Sequence, residues 1–186
     1  RSIQRMQSND LIHWAMSAPV IDKDALDPFD TDFYGMEAMY YESMYLGFVR
    51  THHTAHDTMD MWLSHSRDSF HWERLRTRPF LPLGPDGSWE WGMTPMFQAP
   101  VRVGDEHWVY YTGTDNRHDA GGNTKLGLAK LRLDGFVSID AIDNAYRSAG
   151  KNYPPTLLTK PLQSTGNRLE VNAVATGGYL DSELLN

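Results

Sequence analysis

Hydrophobic and polar positions alternate along most of the chain in short runs, the period of strands with one buried face. Residues 33–41 (FYGMEAMYY) read as one aromatic strand, Glu42-Ser43 as a turn and residues 44–50 (MYLGFVR) as the next strand. Residues 51–58 (THHTAHDT) read as a polar loop, 59–66 (MDMWLSHS) as a third strand and 70–75 as a fourth. Residues 1–8 predict a strand and 19–32, acidic with two prolines, a connecting loop. The cycle recurs after a Pro/Gly loop at 79–90. Strands are expected at 92–103, 107–113, 125–133 and 136–139, with turns at Gly104-Asp105 and Asp134-Gly135 and a loop at 114–123. Residues 138–149 can form a short helix, and Pro154-Pro155 reads as a linker. Residues 157–186 read as new strands separated by Gly-Asn and Gly-Gly turns.

One seven-residue phrase occurs twice, Ser8-Asn-Asp10-Leu-Ile-His13-Trp14 and Ser66-Arg-Asp68-Ser-Phe-His71-Trp72, with matching positions 58 residues apart. Spacing of that size suggests an array of similar units. Serine and aspartate accept hydrogen bonds from backbone N–H groups in tight turns, and a tryptophan beyond such a turn packs on a sheet. The phrase therefore predicts an architectural turn, with no catalytic role for Asp10 or Asp68. A unit of four antiparallel strands in about 45 residues has the size of a propeller blade.

Composition narrows the function classes. At 40% hydrophobic and 12% aromatic residues the chain can bury a core. A net charge of −7 with no basic-aromatic cluster argues against nucleic acid or an anionic membrane as partner. No window approaches the ~18–20 apolar residues of a membrane span. The absence of cysteine excludes disulfides and thiolate metal sites and leaves the compartment open, with a secreted or periplasmic place both compatible.

With these phrases in view, the chain resembles the five-bladed β-propeller glycoside hydrolases, which include invertase-like family 32, the arabinanase/xylosidase families and the mannoside phosphorylases. The repeated turn phrases carry the resemblance. Trp89-Glu90-Trp91-Gly92-Met93 with Gln98-Ala99-Pro100 also resembles the phrase that opens a later blade, and Arg168-Leu169-Glu170-Val171-Asn172-Ala173 the start of the following β-sandwich. The resemblance implies an all-β chain: propeller blades over residues 1–150, the first incomplete, then a linker and the first strands of a sandwich over 151–186. It implies cleavage of a glycosidic bond by carboxylate acid/base chemistry on a carbohydrate substrate. The family's W-x-N-D-P-N-G and R-D-P phrases do not occur. The chain is thus expected to be part of a longer propeller, completed by further residues or another chain. A non-catalytic glycan- or protein-binding propeller is the competing expectation.

Glycoside cleavage requires two carboxyl groups facing one pocket, ~5–5.5 Å apart for retention and ~6.5–9.5 Å for inversion. Innermost strands line a propeller's pocket, which selects Glu37, Glu90 and Asp32 as catalytic candidates. Glu37 matches the family's acid/base glutamate by blade order, and desolvation among aromatic residues would suit a general acid. Trp89 and Trp91 flank Glu90, one to stack on a sugar and one for the core, and Tyr34 and Arg50 are further substrate-binding candidates. His53 and His118, on equivalent loops of successive units, are expected to face the same pocket. His52, His53, His56 and Asp57 place imidazoles and a carboxylate close together, but in a polar loop they read as solvated. No metal and no cofactor are expected.

Overall fold

A computed structural model describes residues 1–140, 155–161, 163 and 165–183. The chain divides into two compact units, Arg1–Ser138 and Ile139–Asn186. In the first, nine strands form three antiparallel sheets: β1 (Ile3–Gln7) with β2 (Ala15–Ile21); β3 (Thr31–Tyr41), β4 (Met44–His53), β5 (Thr58–Ser66) and β6 (Trp72–Arg74) in that order; and β7 (Val101–Val103), β8 (Glu106–Thr114) and β9 (Thr124–Arg132). A short 3-10 turn, His118–Ala120, joins the last two strands. Among the described residues no helix is long and apolar enough to cross a membrane.

The central sheet separates two cores. Directly opposed residues share a face, so Leu46, Phe48, Met61 and Leu63 project to one side, where they pack with Met96, Val109 and Tyr111. Phe33 and Val49 project to the other and pack with Ile21, flanked by Ile3, Met36 and Trp72. Apolar alternation on β4 and β5 is thus covered on both faces, and most of their residues are buried.

Both repeated phrases are architectural, joining β1 to β2 and β5 to β6. In each, serine Oγ accepts from two following backbone N–H groups, Asp10 and Leu11 or Asp68 and Ser69. The aspartate accepts from the next two N–H groups and, at 2.6 Å, meets its histidine's Nδ1. These bonds hold both carboxyls well below the usual range, that to the histidine side chain foremost.

Several boundaries differ from the sequence pattern. Half of the polar run 51–58 is strand, because Thr51, His52, His53 and Thr58 complete the β4–β5 ladder and leave a turn of 54–57. The expected strand 92–103 is interrupted. Met93 and Met96 bridge to Thr114 and Tyr111, but pairing resumes only at Val101, since Pro95 and Pro100 cannot donate to a ladder. Residues 92–96 instead tie two sheets together. Met59 N–H donates to Gly92 at 3.1 Å and Thr94 N–H to Met59 at 2.9 Å, while Thr114 N–H donates to Met93 at 3.0 Å. Gly92 is required by this approach, because a Cβ there would stand 1.8 Å from the Asn116 carbonyl oxygen. Phe136 lies in a turn rather than a strand, its ring inserted between Tyr41, His107 and Phe80. Tyr41 donates to Asp134, and burial, with this carboxylate, pushes its pKa up to about 12.

Among the described residues of 155–183 there is no strand and every residue is exposed, so the sandwich strands expected there are not formed. An alternating segment becomes a strand only where a neighbour satisfies its backbone groups. The helix expected at 138–149 falls mainly outside the described residues.

The acidic segment before β3 is fixed by ion pairs. Arg74 grips Asp27 through two bonds of 2.6 and 2.8 Å, Arg76 adds a third at 2.9 Å, and the Asp27 side chain is 6% exposed. Burial raises the Asp27 pKa, but the Arg74 bonds and charge outweigh it and the net shift is downward. A depressed folded pKa contributes stability that is present above the unfolded value of ~3.9 and is lost as pH falls through the folded value. Arg74→Ala is expected to cost about 2–4 kcal/mol at pH 7, less than a wholly unpaired buried charge because Arg76 remains. The difference from the parent should shrink on acidification toward pH ~3. Urea melts at both pH values measure it, and an equal difference at the two would refute the ion-pair account.

Candidate functional site

The site begins with a backbone irregularity. Register between β3 and β4 shifts between Phe33 and Gly35, so Tyr34 is an extra residue opposite Arg50. Such a bulge moves the alternation by one position. Asp32 before it and Gly35, Glu37 and Met39 after it consequently share the face of Arg50 and His52. Without the bulge Asp32 and Glu37 would point to opposite sides. Gly35 contributes its missing side chain: a Cβ there would lie 2.2 Å from Arg50 Nη2, so the guanidinium occupies the space glycine vacates.

The residues gathered on this face contact one another. Arg50 Nη2 donates to Glu37 Oε1 at 3.2 Å, and the guanidinium lies over the Phe97 ring, 5.1 Å from its centre. Arg50 Nε is buried without a partner. Glu37 therefore sits against a cation rather than among aromatic rings alone. Asp32 accepts from the Arg1 α-ammonium at 2.8 Å, which with the attached charge holds its carboxyl below the usual range despite partial burial. Tyr34 meets the rings of His52 and His118 edge-on at 4.9 and 5.1 Å, with the Arg1 guanidinium over its face.

His53 does not join His118. It lies on the opposite face of β4, where its Nε2 meets Asp60 at 3.0 Å and Asp60 also accepts from the Trp62 indole. The bond to Asp60 raises the His53 pKa against the opposing effect of burial. The neighbouring residue, His52, is the one beside His118, their ring centres 4.9 Å apart. Alternation along β4 contained this signal, since His52 is in phase with Arg50 and His53 is not. His52 Nε2 lies 2.9 Å from Asp57 Oδ1, and Asp57 also accepts the Asp119 N–H at 2.9 Å. The Asp119 bond foremost, and His52 next, hold the Asp57 carboxyl low against desolvation. Ligand atoms of His52, Asp57 and His118 all lie within 4.8 Å of one another, the one arrangement among the described residues suited to hold a metal ion.

Glu90 occupies a separate environment. The Tyr111 hydroxyl donates to it at 2.5 Å, and burial together with that carboxylate pushes Tyr111 up to about 12. Trp89 stacks on Tyr111 at 5.9 Å as part of the core, so it offers no free face at this contact. The Trp91 indole N–H is committed to the Asp115 carbonyl at 2.7 Å. A cavity of about 330 Å³ lined by Phe97, Gln98, Tyr110, Tyr111, Thr112 and Leu126 opens beside this group, and Phe97 links it to Arg50. Phe97, 62% exposed, is an aromatic surface that the strand pattern alone did not single out.

No protein-family model and no curated protein matches the chain. Solved structures do. An N-acetylgalactosamine deacetylase from F. plautii, in complex with blood group B trisaccharide, has a TM-score of 0.50 and 20% identity over 72% of this chain and 42% of that one. A mutant Bombyx mori GH32 β-fructofuranosidase in complex with sucrose (TM-score 0.47, 19% identity) covers 72% and 28%. A Bacteroides ovatus glycosyl hydrolase (0.43, 19%) covers 56% and 30%. The chain thus spans less than half the length of the solved proteins it resembles. At this identity the likeness is one of fold.

Proposed function

We propose that this chain is a carbohydrate-active segment of glycosidase type, built from blades of a β-propeller. The observation that carries the reading is the bulge at Tyr34, which gathers two carboxylates, an arginine and a tyrosine on one face of β3 and β4. Arg50 and Tyr34 would hold sugar hydroxyls, with His118 at the margin and Phe97 as the ring platform. Once substrate draws Arg50 away, Glu37 would take a proton from solvent and pass it to the departing glycosidic oxygen. Asp32 lies five positions from Glu37, at ~3.3 Å per strand residue too far along the backbone for the close pairing of a retaining enzyme. Asp32 would therefore orient substrate, and Glu37's partner carboxylate would come from a further blade.

Non-catalytic glycan binding is the second reading, favoured by the ion pair that ties Glu37 to Arg50. One experiment, on protein that carries the further blades, addresses both: titration with oligosaccharides followed by tryptophan fluorescence, alongside assay of chromogenic aryl glycosides. Saturable binding weakened by about tenfold or more in Arg50→Ala, with measurable turnover, is the expected result. Binding without turnover would select the second reading. Neither binding nor turnover would remove both.

A further inference from the structure

We propose that His52, Asp57 and His118 form a binding site for a first-row divalent cation of the zinc type. Three separate segments bring these groups together: the end of β4, the turn between β4 and β5, and the 3-10 turn after β8. Main-chain bonds set the arrangement independently of the imidazoles. His118 N–H donates to the Asp57 carbonyl at 2.8 Å, and Asp119 N–H donates to Asp57 Oδ2 at 2.9 Å. The remaining carboxylate oxygen, Oδ1, is left facing both rings, 2.9 Å from His52 Nε2 and 3.9 Å from His118 Nδ1.

His52 supplies the second line of argument. Its side chain is only 8% exposed, and its Nδ1 is buried with no hydrogen-bond partner. Apart from the edge of Tyr34, what holds this ring is therefore whatever meets Nε2, and Nε2 points at the Asp57 oxygen. A lone carboxylate satisfies that atom. It leaves unexplained why a second imidazole is packed 4.9 Å away. A cation between the three groups accounts for the convergence of both rings on Asp57, since each neutral ring then presents a lone pair and the carboxylate its charge.

The distances suit this ion class. Bonds of ~2.0–2.2 Å place neighbouring ligand atoms roughly 3–3.5 Å apart. The site already meets that between His52 and Asp57. Closure falls mainly on His118, a partly exposed residue on a short turn, which would exchange its 2.7 Å contact with the exposed Asp119 carboxylate for the metal. Two imidazoles disfavour calcium and magnesium, which take oxygen ligands. Three protein ligands leave at least one position for water or substrate, the pattern of a reactive rather than a closed structural site. The site adjoins Tyr34 but does not rest on the glycosidase reading.

The test uses chelator-treated protein without any sugar. Zinc uptake is followed by calorimetry, and cobalt(II) is substituted as a spectroscopic probe of coordination. One equivalent should bind, with a cobalt visible spectrum of low-symmetry nitrogen/oxygen ligation. Asp57→Asn and His118→Asn should each weaken binding at least ~100-fold, because removal of mere outer-shell partners already costs 10–100-fold. His56→Asn, on the same turn and outside the cluster, should leave affinity unchanged. Should Asp57→Asn fail to fold, His118→Asn decides alone. Absence of stoichiometric uptake, equal affinity in the cluster variants, or loss only in His56→Asn overturns the site.

Discussion

Glu37→Gln is expected to lower glycoside turnover by about 10²–10⁴-fold, the usual contribution of a positioned general acid. Sugar binding should stay within a few-fold of the parent. Glutamine keeps the shape and can still pair with the groups around Arg50, but cannot deliver the proton. The effect should be confined to position 37. Glu90 is bonded to Tyr111 in a different environment, so Glu90→Gln is expected to change turnover less than tenfold. Steady-state assays on substrates with good and poor leaving groups sharpen the test, because protonation matters most for a poor one. Equal losses at 37 and 90, or a loss at 37 matched by an equal loss of binding, would remove Glu37 from the acid role.

Phe48→Ala is expected to cost about 3–5 kcal/mol of unfolding free energy, which for a unit of this size lowers the midpoint by on the order of 10 °C or more. Phe48 is fully buried on β4, between Glu37 and Leu63 in the ladder, with its ring 4.9 Å from Phe80 and 6.2 Å from Phe136. Those partners arrive from a loop and a turn, Phe80 being tied to β5 by its N–H bond to the Met61 carbonyl, so deletion opens a cavity beside them that the tethered backbone cannot readily close. Phe48→Leu should cost markedly less, because most of the apolar volume remains. Urea melts of the three proteins provide the comparison. A cost below ~1 kcal/mol for alanine would mean that Phe48 does not anchor the core described above.

Most strands were legible because alternation is local. β3, β4, β5, β8 and β9 lie where the period of two places them, and the Ser-x-Asp turns where their chemistry does. What escaped depends on pairing. The bulge at Tyr34 was announced only by a glycine inside an aromatic strand, and glycine there is explained by the Arg50 guanidinium, a contact across strands. The choice of His53 over His52 failed for the same reason. Both sit in one polar run, and only the extension of the β4–β5 ladder through that run assigns them to opposite faces. Pro95 and Pro100 did carry a readable warning that 92–103 could not be one uninterrupted strand. Phe136 was apolar in either reading. Its position in a turn reflects the space available between Tyr41 and His107, which no local pattern encodes.

The Ser-x-Asp turns have a consequence for how the chain folds. Every bond within each turn is made inside seven residues, so closing it requires almost no loss of long-range chain freedom. The β1–β2 and β5–β6 connections should form on the microsecond scale of isolated hairpins. The tie between Met59 and Gly92 spans 33 residues and must wait. The repeated phrase thus acts in time as well as in space, giving two of the three sheets an early, independent seed before the sheets find one another.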